Sequence, residues 1–308
     1  AASDVYKRQI QDARLAVTPH VVRTPTVVSS AVSRRLGRRT RLKLESLQVT
    51  GSFKPRGAIN QVLSKGEIDR GVVGVSGGNF AQGLAYAGHQ LGVPVTVVMP
   101  SQTPANYVEG TRVWGAEIMF VDTIAEAFDA VPGLVADGWT ETHPFDDPAM
   151  MAGNGTLGLE IIEEAPDLTD LVISVGGGGL IAGVASAVRA VRHDVDIGAV
   201  ETTGADALSR SIEAGEPVTI TPSSVAKTLG SPYTADVTIK MAQVVFEDVL
   251  VVDDDAALEA MRFLAYRGNV LAEPAASCTL AAAEQLGDRL GERPVLVICG
   301  GNVEPGLL

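Results

Sequence analysis

Leu171-Val172-Ile173-Ser174-Val175-Gly176-Gly177-Gly178-Gly179-Leu180-Ile181 reads as a strand, a glycine turn and the opening of a helix. A short apolar run bounded by glycine suits a strand covered on both faces. Beyond the turn, Leu180, Ile181, Val184, Val188 and Val191 recur on one side of a helix. Working outward, the alternation repeats, with strands at 41–45, 72–75, 95–99, 117–121, 197–201 and 294–298. Helices are expected at 10–16, 55–65, 80–91, 104–114, 124–135, 155–164, 256–266 and 274–286, with an apolar run at 244–252. Strands alternating with helices predict an α/β fold of open parallel sheets. We read two interleaved units: residues 1–69 and 147–308 form the larger, and 70–146 a smaller one inserted into it. The first nine residues do not read like the start of a folded element.

Composition narrows the function. The 308 residues are 46% hydrophobic and 20% charged, an ordinary globular balance. A formal net charge of -13 argues against nucleic acid or an anionic membrane as partner. Arg34, Arg35, Arg38, Arg39 and Arg41 make the one basic cluster, which reads as a solvated loop. Cys278 and Cys299 are the two cysteines, too few for a disulfide framework and suited to a reducing cytosol. No apolar run is long enough to span a bilayer and no signal peptide is evident, so a cytoplasmic protein is expected.

Three turns share one layout: Ser76-Gly77-Gly78-Asn79, Gly176-Gly177-Gly178-Gly179 and Cys299-Gly300-Gly301-Asn302 each follow an expected strand. In an open parallel sheet such turns line one crevice, where ligands bind. Glycines let backbone N–H groups approach an anion, and a helix start adds its positive end. Gly176, Gly177, Gly178 and Gly179 are therefore expected to bind a phosphate. The 76–79 turn suits a substrate carboxylate, with the Ser76 hydroxyl and Asn79 amide as donors, although Asn79 also reads as a plain N-cap. A rival is a dinucleotide fingerprint, since Gly177-Gly178-Gly179-Leu180-Ile181-Ala182 fits G-x-G-x-x-A and Glu201 stands where a ribose-binding acid belongs. It would make the chain a nicotinamide-dependent dehydrogenase, but leaves the other two turns unexplained.

One lysine completes the picture. In Ser52-Phe53-Lys54-Pro55-Arg56-Gly57-Ala58, proline restricts Lys54 to extended geometry and opens a helix. The positive end of that helix disfavours a second positive charge, so Lys54 is expected to be partly neutral and able to form a Schiff base.

Taken together these residues resemble the threonine/serine dehydratase and serine racemase group of pyridoxal-phosphate enzymes, the tryptophan-synthase-β-like fold type II. The resemblance runs from about Ile10 to Asn302 and includes TGSFKPRGA at 50–58, SGGN at 76–79 and HPFDDP at 143–148. It continues through AGNGT at 152–156, SVGGGGLIAGV at 174–184 and CGGN at 299–302. It implies two interleaved open parallel-sheet domains with pyridoxal 5'-phosphate between them. Lys54 would hold the cofactor as a Schiff base, Phe53 would pack on its ring, and Asn79 would hydrogen-bond its phenolic oxygen. The four glycines would take the phosphate. Cys299 would face the pyridine nitrogen as a neutral thiol, making the ring a milder electron sink. The implied reaction is β-elimination from L-threonine or L-serine to a 2-oxo acid and ammonia, with Lys54 as general base. A homodimer or homotetramer acting on a small amino acid is implied as well.

Departures from the group's pattern shape further expectations. Racemases carry serine where Gly77 stands, so racemisation should be poor. Phe80 replaces a common histidine and is expected to enlarge or dry the substrate pocket, admitting a bulkier 3-substituted serine or hydroxyaspartate as an alternative. Asn154 replaces glutamine and is expected beside the same pocket. Of the group's divalent-cation ligands, Glu201 and Ala205 match, but the third place is Ala207 with Asp206 out of register, leaving that site doubtful. Glu273 is placed near the cofactor ring by the resemblance, or else complements a helix dipole. The amino-acid-sensing domain of biosynthetic threonine dehydratases has no counterpart here, so no end-product feedback is expected. His20, His89 and His193 read as ordinary loop or helix-end residues, His143 as a loop residue that can border the site, and Cys278 as core.

Overall fold

The computed structural model describes residues 2–304 and 306–308. Helix α1 (Ala2–Val17), strand β1 (Thr26–Val28), helix α2 (Ser30–Leu36) and strand β2 (Arg41–Leu44) lead to helix α3 (Lys54–Ser64). Next come β3 (Gly71–Val75), α4 (Asn79–Leu91), β4 (Val95–Pro100), α5 (Ala105–Arg112), β5 (Glu117–Val121), α6 (Ile124–Ala136) and β6 (Trp139–Thr142). These strands form a four-stranded parallel sheet in the order β5-β4-β3-β6. After α7 (Pro148–Glu164) the chain continues through β7 (Asp170–Ser174), α8 (Gly179–Arg189), β8 (Asp196–Thr202), α9 (Ala207–Ala214) and α10 (Asp236–Ala242). It closes with β9 (Asp248–Val252), α11 (Asp254–Gly268), α12 (Pro274–Leu286) and β10 (Pro294–Ile298).

The second sheet has six strands in the order β1-β2-β10-β7-β8-β9, parallel except for β1. Its central strands β7 and β10 are buried at every residue, because helices cover both faces. The order places the carboxyl ends of β7 and β10 side by side, which brings the 176–179 turn next to Cys299. Helix α3 packs Ala58, Ile59 and Val62 into the core beneath the four-stranded sheet, with Phe80 and Leu84 of α4. It thus carries Lys54 to the junction of the two sheets.

Some expectations are corrected. Residues 2–9 are helical, and Ile10 and Ala13 of the same helix are buried against Ala152 and Ala187; the expectation for Ala1 lies outside the described residues. Strands β1 and β6 and helices α2, α9 and α10 lack a clear sequence signal because they are short, and α2 carries two of the clustered arginines. That cluster is not a solvated loop. Arg35 pairs with Glu259 at 2.5 Å and with Glu284, and Arg41 with Asp167 at 2.8 Å, so these two arginines tie α2 to α11 and α12, and β2 to the loop before β7. Among the described residues, no helix is long and apolar enough to cross a membrane.

Candidate active site

Lys54 is the first residue of α3, and the segment before it is pinned to the end of β10. Phe53 N donates to Cys299 O at 3.0 Å, and Ser52 bridges Gly300. The Lys54 amine donates to Pro144 O at 2.8 Å and stands 5.1 Å from the Phe53 ring centroid and 5.6 Å from that of Phe80. Desolvation lowers its pKa to about 8, against the opposing pull of Cys299 and Glu273. The largest cause is burial.

A cavity of about 460 Å³ opens around this amine, lined by the 76–79 turn, the four glycines, Cys299 and Glu273. Gly178 has φ 90°, a left-handed conformation that a side chain would strain. A Cβ on Gly177 would stand 2.1 Å from the Phe145 ring, so this glycine lets an aromatic side chain pack directly on the turn. Packing therefore accounts for part of the glycine run that sequence reasoning gave to phosphate. Among the described residues, the backbone N–H groups of Gly176, Gly177, Gly178 and Gly179 find no protein acceptor. They form a cradle of unpaired donors at a helix start, which fits a phosphate.

Asn154 does not line this cavity. It lies one layer behind, buried on α7, where its amide donates to Gly179 O at 3.2 Å and steadies the turn from the back. Its helical register points it at the glycine carbonyl instead of the pocket.

In the 76–79 turn, Ser76 Oγ accepts from Gly78 N at 3.1 Å. Gly78 is the N-cap and Asn79 the first residue of α4, which corrects the plain-cap reading of Asn79. The Asn79 amide donates to Glu273 Oε1 at 2.7 Å, and its oxygen accepts from Asn302 at 2.8 Å. One amide hydrogen is left to face the cavity. Phe80 lines the cavity wall but is 2% exposed, packed in the core against Leu84, so it dries the site more than it enlarges it. A Cβ on Gly77 would meet Thr103 Oγ1 at 2.7 Å.

Burial pushes the Cys299 thiol up to about 12, with Ser174 Oγ 3.4 Å away, so the thiol is neutral. Glu273 occupies the N-cap of α12 without capping it. Its carboxyl instead takes bonds from Asn79 and, at 3.1 Å, from Thr228, while Oε2 has no partner. Burial raises its pKa to about 7. Tyr107, Lys227 and Thr228 also line the cavity, and sequence reasoning passed over all three. The stretch between α9 and α10 has no periodicity to flag it, and Tyr107 looked like any helix residue.

Glu201 is far from this arrangement in role. It accepts from Leu208 N at 2.8 Å, Ser209 N at 2.7 Å and Ser209 Oγ at 2.6 Å, capping α9 with both oxygens. Burial raises its pKa to about 7. A carboxylate so engaged is not a ribose ligand, which removes the main support of the dehydrogenase reading. Ala205 closes a turn onto Thr202 O at 2.8 Å. Among the described residues no group of three or more His, Cys, Asp or Glu is placed to hold a metal. His143 is a structural residue: its Nδ1 accepts from Asp146 N at 2.8 Å and its Nε2 meets the Tyr233 hydroxyl at 3.1 Å.

The site thus offers a near-neutral amine, an anion cradle and a neutral thiol around one cavity. This donor set fits an aldehyde cofactor with an anionic tail, as pyridoxal phosphate is. Comparison with known proteins points the same way. A family model described as pyridoxal-phosphate dependent enzyme matches residues 17–301. The chain is 36% identical over 305 residues to the L-threonine ammonia-lyase of Thermotoga maritima, covering 97% of this chain and 76% of that protein. It is 36% identical over 288 residues to an L-threo-3-hydroxyaspartate ammonia-lyase of a Pseudomonas species, covering 92% and 90%. Among solved structures, maize serine racemase aligns with a TM-score of 0.93 at 31% identity, covering 97% and 94%.

Proposed function

Since this chain belongs to the family of pyridoxal-phosphate dependent enzymes, we propose that it is an ammonia-lyase. It eliminates water from a β-hydroxy amino acid, L-threonine or L-serine first, and releases a 2-oxo acid and ammonia. The observation that carries this reading is the Lys54 amine, lowered to about 8 in the cavity it shares with the glycine cradle. When bound, pyridoxal phosphate supplies a carbonyl carbon for the amine and an electron sink for the pair released at the substrate's α-carbon. Lys54 would hold the cofactor, and its amine is the general base for the substrate's α-proton. Gly176, Gly177, Gly178 and Gly179 would bind the phosphate. Phe53 would pack on the ring, and the remaining Asn79 amide hydrogen would bind the phenolic oxygen. The neutral Cys299 thiol would face the ring nitrogen without compelling its protonation. Ser76, Gly77 and the Asn79 backbone N–H hold the substrate carboxylate, which aligns the α C–H bond for removal. Gly77 offers no acid or base to return a proton from the far face, which favours elimination over racemisation.

A second reading, an eliminase for a bulkier 3-substituted serine, draws on Ile124, Phe128 and Tyr107, apolar and aromatic side chains that also line the cavity. The test is direct. The purified protein with cofactor should be yellow, release 2-oxo acid from a panel of β-hydroxy amino acids, and bleach on borohydride with mass added at Lys54. The Lys54→Ala variant should do none of these. Racemised amino acid without 2-oxo acid would overturn the proposal.

A further inference from the structure

One charge in the cavity remains without a role. Lys54, Glu273 and Lys227 are its lining residues with an ammonium or carboxylate side chain. Lys54 is committed to the cofactor, and Glu273 is buried behind Asn79. Lys227 opens a short 3-10 turn, Lys227–Leu229. This turn joins the two ligand turns: Thr228 Cγ2 lies 3.4 Å from where a Cβ on Gly78 would stand, and Leu229 O 2.7 Å from one on Gly176. Lys227 thus lines the cavity at the segment that links the two ligand turns.

Its present partner is replaceable. Lys227 Nζ meets Glu304 Oε1 at 2.8 Å, with the two side chains 59% and 25% exposed. An exposed ion pair of this kind contributes little and yields to a competing anion. The chain carries a formal net charge of -13, so a substrate with two carboxylates needs a local cation to be admitted. Beyond Lys54, Lys227 is the cation among the described lining residues that can serve.

We propose that Lys227 is a specificity-determining residue that exchanges Glu304 for a carboxylate on the substrate side chain. Beside L-threonine and L-serine the site then also takes acidic β-hydroxy amino acids, of which 3-hydroxyaspartate is the shortest. This inference rests on the β-elimination reading and adds the side-chain class to it.

L-Aspartate and L-alanine test it, since neither carries a β-hydroxyl to eliminate. Their dissociation constants are measured on the holoenzyme from the change in its visible absorption. The wild type should prefer aspartate. Lys227→Gln should lower that preference about tenfold, the loss of one charge-assisted hydrogen bond. Lys227→Arg should retain it, and Glu304→Gln should strengthen it. The ratio of kcat/KM for 3-hydroxyaspartate over L-serine should move in the same directions, mainly through KM. An unchanged aspartate preference in Lys227→Gln overturns the proposal. So does an equal loss for both ligands, which would assign Lys227 to the α-carboxylate or to folding of the turn. If the aspartate preference depends on Lys227 while no β-hydroxy amino acid is eliminated, the lyase reading fails and the carboxylate site stands.

Discussion

Lys54 and Arg56 stand two residues apart on the first turn of α3, both enclosed by protein, and their surroundings are opposite. Arg56 meets Glu45 and Glu160 at 2.8 Å each, and Thr156 at 3.2 Å. Burial works against its charge, but the two carboxylates outweigh that and raise its pKa above the ordinary value. The Lys54 amine meets one carbonyl, and burial brings it down to about 8. Desolvation acts on both, and partners decide the outcome. The Arg56 cluster, joined by Lys43 at 2.7 Å from Glu160, ties β2, α3 and α7 into a fixed frame. The amine two residues earlier is left available for chemistry on that frame.

The contrast can be broken from either side. The largest effect is expected for Lys54→Ala, which should lower turnover by about 10^4-fold, the upper range for a positioned general base, with the urea midpoint nearly unmoved. In the cofactor-free wild type, the rate of combination with pyridoxal phosphate should rise with pH and level off above about 8, as the amine loses its proton. Arg56→Met should instead lower stability by about 3–5 kcal/mol by stranding two buried carboxylates, read from urea unfolding. Adding Glu45→Gln should recover part of that loss; no recovery would mean the cluster does not act as charge pairing.

Glu273 sharpens the comparison, because it is a buried acid without a full set of partners. Its pKa rises from 4.5 to about 7 on folding, so the native state holds the extra proton between those values. Stability should fall as pH rises through this window. Glu273→Gln in the cofactor-free protein should therefore gain stability above pH 7, up to about 3 kcal/mol, and nothing below pH 4.5. A gain that is constant with pH would remove titration from the account. The smallest effect is expected at the cradle: Gly177→Ala should cost about 1–3 kcal/mol by overpacking against Phe145. Phe145→Leu in the same chain should relieve it, as thermal unfolding would show.

Several features of the cavity are legible in the sequence. The three glycine turns stood at strand ends, and Lys54 sat beside a proline at a helix start. What failed did so for identifiable reasons. Asn154 was assigned to the pocket by its neighbours in the chain, but the register of α7 turns its amide to the Gly179 carbonyl. Glu201 had the spacing of a ribose or metal ligand, yet both its oxygens cap α9. Lys227 and Thr228 lie in an irregular stretch, and contacts such as Thr228 to Glu273 join residues far apart in the chain.

The order of residues alone determined the alternation of strands and helices, the turns that end three strands, and the lysine beside a proline at a helix start. Those properties are local, set by backbone preference and by the period of apolar side chains. Only the tertiary structure decided which charges are paired and which are stranded. Ionisation in a protein interior depends on what lies within a few ångströms, and in this fold those neighbours come from distant parts of the chain.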